Sequence, residues 1–156
     1  MIKAELQFAQ LLPIDGEVQW HGVESYREQL ERGEELDPLL TLPFPDDESE
    51  KHIVLDGHHK GRAALISGRI AVEAQVFTDD AELLTYLKRE RYWWHYTETD
   101  TRESIRNLYR GTWAPRMAQR GIVSFGDVPE VVHEPTSWKR PDDYRSVRVD
   151  RDGQRL

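Results

Sequence analysis

One stretch restricts this chain more than any other: Ile53-Val54-Leu55-Asp56-Gly57-His58-His59-Lys60-Gly61-Arg62-Ala63-Ala64-Leu65, an apolar strand, a glycine turn, a basic run and a helix, in that order. The first turn of an α-helix leaves backbone N–H groups without intrahelical acceptors, and the helix dipole favours an anion there. Gly57 lets the backbone turn sharply and approach a ligand closely. His58, His59 and Lys60 add side-chain donors around a phosphate, and Asp56 remains to accept a hydrogen bond or hold a metal ion. The same residues allow a plainer reading, a strand-to-helix turn capped by Asp56 whose histidines face solvent. A metal reading, with His58 or His59 joining Asp56 on zinc or iron, lacks a clear third ligand, because His21 and His52 are recruited only by assuming a fold. No metal ligand is assigned.

The flanking pattern organises the first ninety or so residues around that turn. Residues 3–12 alternate loosely and end at Leu11-Leu12-Pro13, a short strand leaving into a turn at Asp15-Gly16. Val23, Tyr26 and Leu30 recur at helical spacing among Glu24, Glu28 and Glu31, and Gly33 stands where a C-cap glycine would. Pro38 to Pro43 reads as a buried strand, Pro45 to Glu50 as an exposed hairpin tip, and His52 to Leu55 as the returning strand. A helix over about 59–67 follows the turn and stops at Gly68. Ile70, Val72, Ala74 and Val76 then alternate as a strand, and Thr78-Asp79-Asp80 caps a helix through Leu83, Leu84 and Leu87.

This arrangement resembles two branches of the ParB/sulfiredoxin superfamily. Asp56-Gly57-His58-His59 followed by a basic residue is similar to the phosphate motif of the free-serine kinases, which phosphorylate serine with ADP or ATP. Gly57 to Ala63 also fits, in register, the Gly-Glu-Arg-Arg-x-Arg-Ala motif by which ParB proteins hold the CTP triphosphate, with His58 and His59 replacing the acid and first arginine and Lys60 the second. The resemblance covers about residues 3–90. It implies an α+β fold with a mixed sheet, and a nucleoside di- or triphosphate (ATP, ADP or CTP) held with Mg²⁺ by Gly57, His58, His59, Lys60 and Arg62. It further implies phosphoryl transfer to a small-molecule hydroxyl, or nucleotide hydrolysis, with Asp56 and His58 at the reacting centre. In the serine kinases a glutamate just after the first strand's exit is the general base. The corresponding residue here is Glu17, with Asp15 and Glu24 as rivals and two extra residues between Pro13 and Glu17. Sulfiredoxin chemistry itself depends on a cysteine in this turn; position 58 is His and the chain has no Cys, which excludes it. The competing functional classes are a non-catalytic nucleotide-binding switch or adaptor of the ParB type and a ParB-like nuclease.

At 156 residues the chain accommodates one ordinary domain and an appendage. The expected division is 1–90 as the nucleotide-binding unit, 91–137 as a helical, aromatic-rich extension and 138–156 as a charged, mobile or partner-ordered tail. The net charge of −8 is uneven: residues 1–60 carry five Lys/Arg against fourteen Asp/Glu, while 61–156 carry sixteen against fifteen. That acidic first part opposes a nucleic-acid partner. The start, Met1 to Glu5, leads into no apolar run of signal-peptide length, no run could span a bilayer, and cysteine is absent, so a cytoplasmic location is expected. Tyr92 to Tyr96 is an aromatic cluster suited to anchoring the extension on the sheet or to stacking a base. Asp100-Thr101-Arg102-Glu103 signals a helix to Gly111, on which Arg102, Arg106 and Arg110 form one basic stripe, paired or solvated unless it meets a phosphate. Residues 112–134 are expected to hold one or two short helices broken at Pro115 and Pro129, too little chain for the helix-turn-helix domain of a partition protein.

Overall fold

The computed structural model describes residues 1–45, 50–90, 101–140 and 142–156. Its elements are β1 (Ile2–Gln7), β2 (Leu11–Leu12), β3 (Val18–Gln19), α1 (Trp20–Glu31), β4 (Leu39–Phe44), β5 (Lys51–Asp56), α2 (His58–Ile66), β6 (Ala71–Val76) and α3 (Asp80–Arg89). Then come α4 (Thr101–Leu108), α5 (Ala114–Gln119), β7 (Glu130–Pro135) and β8 (Tyr144–Arg148), and the whole is an α+β fold. Part of the expected hairpin tip (46–49) and the aromatic cluster from Tyr92 to Tyr96 lie outside the described residues.

Five strands form a mixed sheet in the order β1-β6-β4-β5-β2, with β1·β6 and β4·β5 antiparallel and β4·β6 and β2·β5 parallel. The single strand expected over 3–12 is therefore two strands at opposite edges, separated by a 3₁₀ turn at Phe8–Gln10. Four strand spacings would put flat edges roughly 19 Å apart. The chain from Gln7 to Leu11 reaches at most about 14 Å. The sheet must curl, and Leu6, Leu11, Val54, Val72 and Ala74 gather in the same core cluster with Ala64 of α2. On the other side Leu42, Phe77, Leu83 and Leu87 form a second cluster with Ile105 and Trp113.

The helix cap at residue 79 forms as the sequence requires: the Asp79 carboxylate accepts the Glu82 N–H at 2.8 Å. Pro115 does not break the next helix. It cannot donate to the carbonyl four residues back, and the chain passes from α4 to α5 through a π-helical turn, Tyr109–Trp113, just before it. The segment expected as a charged, mobile or partner-ordered tail contains a strand. β7 and β8 pair in antiparallel fashion, and β3 joins β7 in parallel, giving a second sheet of order β3-β7-β8. Val18 N–H donates to the Pro129 carbonyl at 3.0 Å, so hydrogen bonds cross both expected boundaries. Ion pairs reinforce the junction: Arg151 pairs with Glu24 of α1 and with Glu130 of β7.

Candidate functional site

The turn from β5 into α2 is shaped by Gly57, whose φ of +110° lies in the left-handed region. As the N-cap residue of the helix that follows, Gly57 offers no side-chain cap. The first intrahelical bond runs from Gly61 N–H to the Gly57 carbonyl at 2.8 Å, which leaves the amides of His58, His59 and Lys60 as first-turn groups without an intrahelical acceptor. Asp56 to Lys60 line one wall of a cleft of about 1020 Å³. Ile14 and Asp15 extend that wall, and Ser104, Ile105, Asn107, Leu108, Thr112, Trp113 and Arg116 on the helical extension form the facing one, with Tyr26 of α1 and Tyr86 and Leu87 of α3 also in the lining. Much of the surface is apolar, from Ile14, Leu55, Ile105, Leu108 and Trp113.

The two histidines are less available than the motif suggests. His58 is 4% exposed, and its Nε2 accepts the Ile14 amide at 3.0 Å and the Asp15 amide at 3.4 Å. An acceptor Nε2 places the ring proton on Nδ1, which lies 3.2 Å from the Asp15 carboxylate. His58 thus fixes both backbone and side chain of Asp15, while its backbone amide stays at the helix start. His59 is half-buried, and its Nε2 accepts the Gln19 amide at 3.1 Å. Burial pushes both imidazoles below their ordinary pKa, against the opposing pull of the Asp15 and Asp56 carboxylates, so neither offers a cation to a phosphate near neutral pH.

Arg62 points the other way. Its guanidinium donates to the Gly126 carbonyl at 2.7 Å and lies 3.5 Å from the buried Glu130 carboxylate, tying α2 to the second sheet. Glu17 likewise sits on that sheet, accepting the Ser146 hydroxyl at 2.6 Å and facing His133 Nε2 at 3.3 Å. Glu24 is held by Arg27 and Arg151, and the Arg27 guanidinium is the main reason its carboxyl stays below the usual range. Of the three carboxylates weighed for the base position, Asp15 is the one in the cleft. Asp56 and Lys60 line it too. Oxygen donors from Asp15 and Asp56 suit Mg²⁺, which is commonly held by one or two carboxylates and completed by substrate phosphates. Among the described residues there is no cluster of three or more His, Asp or Glu arranged to hold a metal by itself.

Neither a protein-family model nor a curated protein matches the chain. Solved structures with low similarity are protein Atu1540 from Agrobacterium tumefaciens, a free serine kinase in complex with AMP, and a truncated ParB from Caulobacter crescentus complexed with CTP-gamma-S. The first has 17% identity and a TM-score of 0.42, the alignment covering 58% of this chain and 49% of that one. For the kinase the values are 18% and 0.43, over 56% and 43%. For ParB they are 15% and 0.46, over 78% and 71%. The chain therefore spans less than half the length of the first two.

The facing wall was not legible in the sequence. Ser104, Leu108, Thr112 and Arg116 reach the cleft at helical spacing, but nothing local says that this face, rather than the stripe of Arg102, Arg106 and Arg110, meets the first ninety residues. That stripe is paired: Arg102 donates to the Asp80 carboxylate at 2.7 Å, Arg106 to the Pro43 carbonyl at 2.9 Å and Arg110 to Asn107 at 2.9 Å.

The buried imidazoles give stability a pH dependence. For His58, His59 and His52 the folded pKa lies below that of the unfolded chain, burial being the leading cause in each. The unfolded state consequently binds protons first as the pH falls past about 6.5, so this stability is complete above that value and is lost progressively below it. The urea midpoint is expected to drop between about pH 7.5 and about pH 5.5, less steeply in His58→Gln than in the parent. Equal slopes for the two proteins would show that His58 does not contribute.

Proposed function

We propose that the cleft binds a nucleoside di- or triphosphate and couples it to phosphoryl transfer onto a small-molecule hydroxyl, or to hydrolysis. The observation that carries the reading is the start of α2, entered through left-handed Gly57 and opening on a cleft of about 1020 Å³ whose facing wall mixes apolar side chains with polar ones. That volume is at the upper end for small-molecule sites. The amides of His58, His59 and Lys60, with the Lys60 ammonium, take the phosphates. The base and ribose lie against Leu108, Trp113 and their neighbours.

Within this reading His58 positions rather than ligates: by holding the Ile14 and Asp15 amides it sets Asp15 toward the cleft. Asp15 takes the part first expected of Glu17, orienting the acceptor hydroxyl and receiving its proton. Asp56 and Asp15 offer carboxylate oxygens to Mg²⁺, which when bound supplies charge neutralisation at the transferring group. The helical extension supplies the facing wall, so a ligand also bears on its position; that favours, as the second reading, a nucleotide-binding switch without turnover.

Thermal unfolding in the presence of ATP, ADP or CTP with Mg²⁺ tests binding. A ligand at a hundredfold its Kd should raise Tm by about 5–10 °C, and Lys60→Ala should reduce that rise. No shift with any of the three at millimolar concentration would sink both readings. Released phosphate, or a phosphorylated product from a pool of hydroxyl-bearing amino acids, separates the enzyme from the switch.

A further inference from the structure

Among the described residues the charged side chains lining the cleft are few: Asp15 and Asp56, against Lys60 and Arg116, with the pKa values of His58 and His59 lowered by burial. A nucleoside di- or triphosphate brings more negative charge than one ammonium and three amides match, and it meets two carboxylates besides. Mg²⁺ on those two carboxylates would offset part of that charge and Lys60 another part. A cation on the facing wall would add a contact from the other side, and the arginines described there can be sorted by what they already hold. Arg102 is bound to Asp80 and the Thr78 carbonyl, Arg106 to the Pro43 carbonyl, and Arg110 to Asn107 and Glu103. Arg120 lies across Gly16. Arg116 is exposed, lines the cleft, and makes no side-chain hydrogen bond or ion pair with any of the described residues.

We propose that Arg116 is the second anion contact of this site, reaching across the cleft from α5 to the terminal phosphoryl group of the nucleotide that Lys60 and the α2 amides hold on the other side. A planar guanidinium suits a phosphoryl group because it donates two parallel N–H bonds and stays charged at any working pH. Because it arises on the extension, it also couples nucleotide length to the position of α5: a diphosphate or triphosphate bridges the walls, and a monophosphate leaves the arginine unengaged.

This inference rests on the nucleotide reading, and the experiment separates the two. Isothermal titration of the full chain with ATP, ADP and AMP, each with Mg²⁺, is compared in the parent, Arg116→Ala, Arg116→Lys and Arg140→Ala. The last removes an equal charge from an exposed site distant in sequence and controls for the global field. Arg116→Ala should weaken ATP and ADP by about tenfold or more while leaving AMP within about twofold, Arg116→Lys should recover part of the loss, and Arg140→Ala should bind as the parent does. A parent that binds no nucleotide removes the underlying reading. A parent that binds, with Arg116→Ala binding ATP equally well or losing AMP to the same degree, overturns the assignment of Arg116 alone.

Discussion

Gly57→Val is expected to destabilise the protein by about 3 kcal/mol and to abolish ligand binding at the start of α2. Two costs combine. At φ +110° an L side chain is strained wherever it points. A Cβ built there would also stand 2.8 Å from Leu39 Cγ and 3.3 Å from Leu39 Cα, and the latter is backbone that cannot rotate away. Leu39 belongs to the core strand β4 and is 3% exposed, so relief has to come from moving the turn itself. Moving the turn displaces the three first-turn amides on which the proposed phosphate site depends. Urea unfolding measures the first effect and nucleotide titration of the folded fraction the second. A variant within about 1 kcal/mol of the parent that still bound nucleotide would remove Gly57 from both roles.

Phe125→Ala should cost about 3–5 kcal/mol, the range for deleting a buried aromatic side chain. Phe125 is 1% exposed and lies where three pieces of the fold meet. Its ring stacks on His58 at 6.0 Å between centroids and tilts against Phe8 at 6.2 Å. It also fills the space beside Gly61 of α2, where an added Cβ would come within 2.7 Å of it. The cavity left by truncation therefore opens directly beneath the imidazole that positions Asp15, and nucleotide affinity should fall along with stability. Phe125→Leu should lose markedly less of both, and Val123→Ala, at an 88% exposed position two residues earlier, should change stability by under about 0.5 kcal/mol. Loss of stability in Phe125→Ala with full affinity retained would show that the extension supports the fold without supporting the site.

The local elements were largely written in the sequence. The apolar run before Asp56, the glycine after it and the alanines beyond it specify β5, the turn and α2 with boundaries within a residue or so, because each rests on interactions inside a short window. The same holds for the cap at Asp79 and for the reversal near Gly33, whose φ of +78° no other residue type adopts easily.

What the linear chain did not disclose is non-local. A loose alternation over 3–12 cannot say that its two halves lie on opposite edges of a curled sheet, nor can Val18-Gln19 announce a strand whose partner is more than a hundred residues away. Glu130 to Pro135 lacks a hydrophobic period strong enough to outweigh the prolines on either side, yet pairing with β3 and β8 makes it a strand. The site followed the same rule. Sequence determined that a helix would start at Gly57 with free first-turn amides, since one glycine after an apolar strand and before a helical run suffices. Only tertiary contact decided that His58 would turn inward to hold Asp15, that Arg62 and Glu17 would serve the second sheet, and that Arg116 would face the cleft, because a side chain's partners are set by the elements packed against it.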